Sequence, residues 1–421
     1  SFIILSILLS ALWLVSPASA SSPIYVNPDG NDTKCNGTAN VPYSDSVKPN
    51  CAKKTIQAGV NAVDAGGTVY VAAGEYSEEI NITQSVTLFG SNGAIIKAPT
   101  TLSTSDLKSI IIVSGTGVNA EISGFTIKGP GPGPCQSILS GIFVKDGANA
   151  NIHHNKILDI RDNENNTFSG CQNGIAIWVG RKLLNTSGTA TIANNIIEGY
   201  QKGGIVVDNT GSSAVISDNI ITGAGTTDKI APNGIQISRG ATATISGNTI
   251  SGNSYHKEGD TWDYAATGIL LYQSGNVSLT GGNTLKDNDQ NFYVEETTGV
   301  LSLGAEIFGP LTAPITKGYH IVLSSNSNLD ASTCTFEGVN PASATLEQLF
   351  TIEDRIWHRV DDPTYTGVVR VKAGNIYVTD TEPNAKIQFG IDASTPGDTI
   401  HVKSGTYNEN VAITKGVDLR G

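Results

Sequence analysis

The sequence predicts an all-β fold, a right-handed parallel β-helix whose short strands stack coil upon coil, with a short N-terminal capping helix. Two observations predict it. The first is composition, because 47 glycines and only 15% charged residues suit many short strands joined by tight turns. The second is a pair of strand motifs that recur along the chain while the spacing between their copies drifts.

The first motif places alternating apolar residues before an asparagine and a second apolar pair after it. Successive asparagines are separated by 40, 24, 29 and 35 residues, so the extra residues must be loops that leave a coil of constant size. Stacked coils place each strand about 4.8 Å from its successor. We therefore expect the turn asparagines to form a hydrogen-bonded ladder with a structural role. The five ladder positions are Asn155, Asn195, Asn219, Asn248 and Asn283.

The second motif is a glycine followed by alternating apolar residues, which predicts a strand with one buried face. Its copies begin at Gly141, Gly174, Gly204, Gly234 and Gly268, and a weaker copy begins at Asn291. Together the two motifs resemble the right-handed parallel β-helix proteins of the pectate-lyase-like superfamily, over residues 54–340. The resemblance implies the fold and leaves the activity open, because one fold hosts many functions.

The chain ends indicate export and tandem units. The apolar run of residues 2–15, followed by Ala18-Ser19-Ala20, predicts a signal peptide and a secreted or cell-surface protein. Residues 56–90 return as residues 387–421 at a constant offset of 331, so we expect a fragment of a longer protein with further β-helix units. The predicted segments are a signal peptide (1–20), an N-terminal strand and cysteine loop (21–53), the β-helix (54–340), a connector with one helix and a strand (341–376), and the truncated start of a second unit (377–421).

Five cysteines in an exported chain predict disulfides. Cys35 and Cys51 flank a polar loop and form the first expected pair, while Cys135 and Cys171 bracket the first coils and form the second. Other pairings stay open, because spacing alone does not determine connectivity. Cys334 falls at a ladder position and is expected to be a buried, inert thiol.

The net charge of −12 argues against nucleic-acid binding. An acidic surface also repels polyanions unless calcium or a local basic patch intervenes. No motif establishes a cofactor, and Ca²⁺ is the one candidate, because carboxylates are its preferred ligands. The candidate ligands are Asp159, Asp162 and Glu164.

Four loop insertions, at about 158–173, 198–203, 222–233 and 251–267, occupy the same gap in the coil and should emerge along one edge. Sugar rings stack on aromatic faces and their hydroxyls pair with polar side chains. The edge and the outward residues of the Gly-Ile strands therefore predict a groove for extended carbohydrate. Its candidate residues are Trp178, Tyr200, Asp208, Arg239, Trp262 and Tyr272.

We favour a secreted or cell-surface module that binds extended carbohydrate or mediates adhesion. Its expected partner is an extracellular polysaccharide or a cell-surface glycan, with no nucleic acid and no membrane span in the mature chain. One alternative is a polysaccharide lyase, epimerase or glycosidase, which would need a base together with a cation or paired acids; another is a purely structural stalk. The candidate catalytic residues are Lys202, His256, Lys257, Asp260 and Asp263.

Overall fold

The computed structural model describes residues 22–102, 107–259, 266–312, 318–381 and 386–421. The predicted signal peptide and the candidates Asp260, Trp262 and Asp263 lie outside these residues. Three long parallel sheets of ten strands each confirm the right-handed parallel β-helix. In successive coils a strand of sheet 1 leads through a short corner to sheet 2, and a loop of variable length then leads to sheet 3.

The strands are numbered in chain order. Sheet 1 comprises β1 (Ile24–Val26), β2 (Thr68–Val71), β5 (Val86–Gly90), β8 (Asn119–Ser123), β11 (Asn149–His153), β14 (Thr189–Ala193), β17 (Ser213–Ser217), β20 (Thr242–Ser246), β23 (Val277–Leu279) and β26 (Leu301–Leu303). Sheet 2 comprises β3 (Gly74–Ser77), β6 (Ala94–Lys97), β9 (Thr126–Lys128), β12 (Lys156–Leu158), β15 (Ile196–Glu198), β18 (Ile220–Thr227), β21 (Thr249–Tyr255), β24 (Thr284–Lys286), β27 (Ile307–Phe308) and β30 (Thr335–Phe336).

Sheet 3 carries the repeated Gly-Ile motif. It comprises β4 (Ile80–Ile82), β7 (Ser109–Ser114), β10 (Ser140–Lys145), β13 (Ile175–Val179), β16 (Gly203–Asp208), β19 (Asn233–Ser238), β22 (Thr267–Tyr272), β25 (Gln290–Glu295), β28 (Ile321–Ser324) and β31 (Ile356–Trp357). Two smaller parallel sheets follow, one of β29 (Leu329–Asp330) with β32 (Val369–Arg370), the other of β33 (Asn375–Val378), β34 (Thr399–Val402) and β35 (Asp418–Arg420).

The core is a stack of apolar columns inside the coil. In sheet 3, Ile142 pairs in register with Ile111 on one side and Ile177 on the other, and all three are fully buried. The column continues in the same register through Ile205, Ile235 and Ile269. Burying each such side chain contributes roughly 1.5–3 kcal/mol. The period-two alternation of the sequence therefore explains which residues lie inside.

The predicted asparagine ladder is present at the corner between sheets 1 and 2. The Asn195 side-chain amide donates to the Asn219 side-chain oxygen at 3.0 Å, and Asn219 donates to Asn248 at 2.9 Å. Each amide also donates to a backbone carbonyl of the preceding coil, as Asn219 does to Ile192. The ladder ends at Glu306, which accepts from Asn283 and which the sequence analysis had not placed there.

Helix α1 (Ile56–Ala62) covers the first coil, as predicted. Its Ile56 and Val60 are buried, and a methyl group at Gly59 would lie 2.6 Å from Val26 Cγ2, so only glycine lets the helix pack this closely. The Glu78 carboxylate accepts hydrogen bonds from the backbone amides of Ile56 and Gln57.

The C-terminal block repeats this arrangement around helix α3 (Ile387–Ala393). Glu409 accepts from the backbone amides of Ile387 and Gln388, as Glu78 does from the equivalent amides of α1. Between the blocks, the connector contains one helix, α2 (Leu346–Glu353). It ends at Glu353, because Ile356 and Trp357 form the last strand of sheet 3.

Both predicted disulfides, Cys35–Cys51 and Cys135–Cys171, are present. Cys334 is buried, as expected, and its thiol donates to the Gly304 carbonyl at 3.3 Å. Burial raises the pKa of this thiol to about 12, so it stays protonated. No helix among the described residues is long and apolar enough to cross a membrane.

Candidate functional site

Three of the six predicted carbohydrate-binding residues, Trp178, Asp208 and Tyr272, lie on strands of sheet 3, and Arg239 directly follows β19. Asp208 pairs in register with Ser238, which pairs with Tyr272, so these side chains form one column. Trp178 pairs with Phe143 and Val206 and therefore belongs to the neighbouring column. The register sets this, because Ile175 pairs with Gly203 and Ile177 with Ile205, which places Trp178 beside Val206, two residues before Asp208.

Trp178 lies in a small apolar cluster on the outside of the sheet. Its ring contacts Phe143, with 6.1 Å between ring centres, and the cluster also contains Ile175 and Val206. Only 8% of Trp178 is exposed, and its indole Nε1 has no hydrogen-bond partner in the described part of the chain. A buried donor without a partner is uncommon in folded proteins.

Asp208 organises the basic residues beside this cluster. Its buried carboxylate accepts from the Ser238 hydroxyl at 2.8 Å, from Arg239 at 2.9 Å and from the backbone amide of Lys182 at 2.7 Å. The carboxylate is 3% exposed, so Asp208 supports the site from beneath and does not present a free acid to a ligand.

Two arginines are held against aromatic rings. The guanidinium carbon of Arg181 lies 4.8 Å from the centre of the Trp178 ring, and that of Arg239 lies 5.3 Å from the centre of the Tyr272 ring. Cation–π contact and the Asp208 pair restrict these side chains before a ligand arrives.

A cavity of about 310 Å³ is lined by Trp178, Arg181, Lys182, Leu183, Asp208 and Arg239. A second cavity of about 190 Å³ adjoins it, since Arg181 and Leu183 line both. Of the described lining residues of the two cavities, four are cationic and one, Asp208, is acidic. The cations are Lys108, Arg181, Lys182 and Arg239. We call these two cavities the basic cleft, which is a local basic patch on a chain of net charge −12.

Tyr200 does not belong to any surface site, contrary to its predicted role. It is 1% exposed, and its hydroxyl donates to the Asn253 side-chain oxygen at 2.6 Å. Burial raises the pKa of this phenol. Asn253 in turn donates to Asn288, so Tyr200 completes a second short ladder inside the coil.

The candidate calcium ligands do not converge. Asp162 is fully buried and accepts hydrogen bonds from Ser169, Asn173 and Gln201, whereas Asp159 is partly buried and Glu164 is exposed. Across the described ranges no group of three or more His, Cys, Asp and Glu side chains is arranged to hold a metal ion. The Asp162 carboxylate is therefore committed to internal hydrogen bonds.

The candidate catalytic residues are also dispersed. His256 is exposed beside a cavity of about 400 Å³ that Asp228 and Lys229 also line, and Lys257 is exposed next to it in the chain. The Lys202 amine donates to the Ala231 carbonyl at 2.7 Å and lines neither this cavity nor the basic cleft. Burial lowers the pKa of Lys202 to about 8.

Residues 79–353 match the family described as the right-handed beta helix region. The chain belongs to this family. No curated protein sequence matches this β-helix protein.

Solved structures with a similar fold include the complex of XylC with xylose (12% identity, 75% of this chain and 69% of that one, TM-score 0.45) and pectate lyase Pel9A (12%, 79% and 85%, 0.45). An alginate lyase from Paenibacillus sp. str. FPU-7 is 15% identical, with 67% of this chain and 92% of that one covered and a TM-score of 0.43. Likeness at this level concerns the fold alone.

Sequence reasoning missed Lys108, Arg181 and Lys182 of the basic cleft. A signal for two of them was present, because residues 180–188 form a longer turn between sheets 3 and 1 than residues 146–148 do in the preceding coil. That turn contains a 3-10 helix, Lys182–Leu184, which places Arg181 over Trp178. Lys108 lines the smaller cavity because it directly precedes β7, which stacks against β10 of the next coil.

Proposed function

We propose that this β-helix protein is an extracellular module that binds an extended, anionic carbohydrate in the basic cleft. The observation that carries the proposal is the cavity shared by Trp178, Arg181, Lys182 and Arg239. The two disulfides support an extracellular location, because such bonds persist in oxidising compartments.

The chemistry of the cleft suits a sugar residue that carries a carboxylate or sulfate. A guanidinium pairs with such groups through two parallel hydrogen bonds, and Arg181 and Arg239 both line the larger cavity. Asp208 already restrains Arg239, so less side-chain freedom is lost when a ligand binds. Leu183, which borders both cavities, offers an apolar surface to the C–H face of a sugar ring.

An extended ligand is favoured because the two cavities adjoin. The smaller one adds amides from Gln136 and Gln172 and the amine of Lys108 as partners for sugar hydroxyls or a second anionic group. A chain of two or more sugar residues would therefore contact both cavities.

Affinity electrophoresis and titration calorimetry with polygalacturonate test this proposal. We expect Arg181→Ala and Arg239→Ala each to weaken binding roughly tenfold, since a hydrogen bond to a charged group contributes about 1.5–3 kcal/mol. Arg420→Ala is the matched control, because Arg420 is an exposed arginine on β35. Unchanged affinity in both cleft variants would contradict the proposal.

A polysaccharide lyase is the second candidate, and the lowered pKa of Lys202 favours it. An amine with a pKa of about 8 is partly neutral in mildly alkaline solution and can accept a proton. Incubation with uronate polysaccharides, with and without Ca²⁺, distinguishes the two functions. Unsaturated products that disappear in Lys202→Ala or His256→Ala would establish the enzyme, whereas binding without products supports the module.

A further inference from the structure

The outward face of sheet 1 lacks charge over six successive strands. Strands β11, β14, β17, β20, β23 and β26 contain no Asp, Glu, Lys or Arg at all. Charged residues make up 15% of the whole chain. The absence is therefore unusual in a protein of net charge −12.

Small polar side chains take the place of the missing charges. Thr191 is in register with Val215, which is in register with Thr244, and this column continues to Ser278 and Ser302. A parallel column contains Thr189, Ser213 and Thr242. Together they line a groove of about 670 Å³, larger than the basic cleft. We call it the hydroxyl groove.

The same sheet carries an aromatic stripe on its first three strands. Tyr25 stacks on Tyr70 at 5.7 Å between ring centres, and Tyr70 contacts Phe89 at 5.8 Å. Tyr70 is 39% exposed and Phe89 43% exposed, so both rings present a face to solvent. Aromatic faces of this kind bind the C–H faces of sugar rings.

We infer that the outward face of sheet 1 is a second binding surface, which takes a neutral, extended polysaccharide along the helix axis. The aromatic stripe on β1, β2 and β5 would bind one part of the polymer and the hydroxyl groove another, with β8 between them, where Glu121 pairs with His153. Because strands repeat about every 4.8 Å along the axis, the face presents equivalent contacts at regular intervals, as a polymer of repeating sugars requires.

Charge and polarity select this occupant. An anionic polymer has no lysine or arginine on these six strands with which to pair. A protein partner would need an apolar centre on this face. Among the described residues that line the groove, the large exposed apolar side chains are only Val215 and Val300. A neutral glycan can exchange hydrogen bonds with Ser, Thr and Asn and desolvates no charge.

The surface is independent of the basic cleft, because the two lie on different sheets of the solenoid. One chain could therefore bind a neutral and an anionic polymer at the same time. This would make the protein a cross-link between two kinds of polysaccharide.

Adsorption to microcrystalline cellulose, and affinity electrophoresis in xyloglucan and galactomannan, test the inference on the whole chain. We expect retention by at least one of these neutral polymers, little change with added NaCl, and a tenfold or greater loss in the double variant Tyr70→Ala/Phe89→Ala. Val215→Asp places a charge in the hydroxyl groove and should weaken binding similarly. Ile220→Ala is the control, because it removes an exposed apolar side chain from sheet 2.

Thermal unfolding and binding of polygalacturonate show whether each variant remains folded. No retention by any of the three neutral polymers would overturn the inference, as would full retention by both face variants. Loss of neutral binding in Arg239→Ala would assign it to the basic cleft instead. Self-association of the wild-type chain that Val215→Asp abolishes would identify the face as a contact between copies.

Discussion

Asp162 lies in the loop between β12 and β13, where its carboxylate accepts hydrogen bonds from Ser169, Asn173 and Gln201. Burial alone would raise the pKa of Asp162, but these hydrogen bonds outweigh it and hold the pKa below its ordinary value. The carboxylate of Asp208 likewise accepts hydrogen bonds from Ser238, Arg239 and a backbone amide. At the scale of single residues, a buried carboxylate here positions its neighbours.

Glu306 is a third buried carboxyl, and its pKa shifts the other way. One oxygen accepts from the backbone and side-chain nitrogens of Asn283, while the other has no partner among the described residues. Burial raises its pKa, with the Asn283 hydrogen bonds acting in the opposite direction. The folded state therefore prefers the protonated form, and stability is lost as pH rises through the folded pKa.

We predict that Glu306→Gln raises the unfolding temperature at neutral pH by a few degrees. The gain should disappear below about pH 4, where the carboxyl is protonated in both the folded and unfolded states. Calorimetric melting at a series of pH values measures the difference. A gain that is the same at every pH would mean that ionisation of Glu306 has no part in it.

At the scale of elements, the asparagine ladder and the apolar columns hold successive coils in register. Each ladder amide donates both to the next member of the ladder and to a carbonyl of the preceding coil, as Asn219 does to Asn248 and Ile192. Because these groups are shielded from water, a missing partner leaves a buried polar group unsatisfied.

We predict that Asn219→Ala destabilises the protein by roughly 1–3 kcal/mol for each buried partner left unsatisfied. Asn151→Ala is the matched control, because Asn151 is an exposed asparagine on β11 and should change stability little. Urea unfolding compares the two variants. Equal effects would show that the ladder adds nothing beyond the loss of an asparagine.

The Cys135–Cys171 disulfide stabilises the loop that lines the smaller cavity of the basic cleft. It closes a segment with a sequence separation of 36, for which chain entropy predicts about 4 kcal/mol. We predict that Cys135→Ser/Cys171→Ser lowers the unfolding temperature and weakens polygalacturonate binding, because Gln136 and Gln172 line that cavity beside the two cysteines. Full affinity in a destabilised variant would remove this cavity from the binding site.

At the scale of the whole molecule, charge is distributed unevenly over the faces of the solenoid. Sheet 3 carries the basic cleft, whereas six strands of sheet 1 carry no charged residue. The net charge of −12 repels a polyanion at long range, and salt screens this repulsion. The cations of the basic cleft attract the polyanion at short range.

We predict that binding of polygalacturonate at the basic cleft weakens at high NaCl, because the ion pairs between the cleft cations and the ligand carboxylates are exposed to solvent. Titration calorimetry at low and high NaCl measures the change. Arg239→Ala should reduce this salt dependence, since it removes one of the pairing cations. An affinity that rises with salt would indicate that long-range repulsion outweighs the cleft.

The fold follows from the sequence alone, because period-two alternation and the turn asparagines are local patterns that specify which side of each strand is buried. Ile142, Ile177 and Ile205 lie inside, as their alternation requires, and both disulfides form as expected. Trp178, Arg239 and Tyr272 were also recognised as surface candidates.

The composition of the site depended on the tertiary structure. Which outward residues meet is set by the register of stacked coils and by loop lengths that differ from coil to coil, and these are not readable from one strand at a time. Tyr200 lies inside the coil, where its hydroxyl donates to Asn253 two coils further along, and this contact is not visible in the residues around Tyr200. Lys108 and Arg181 line the same cavity because a 3-10 turn and the stacking of coils place distant segments of the chain side by side.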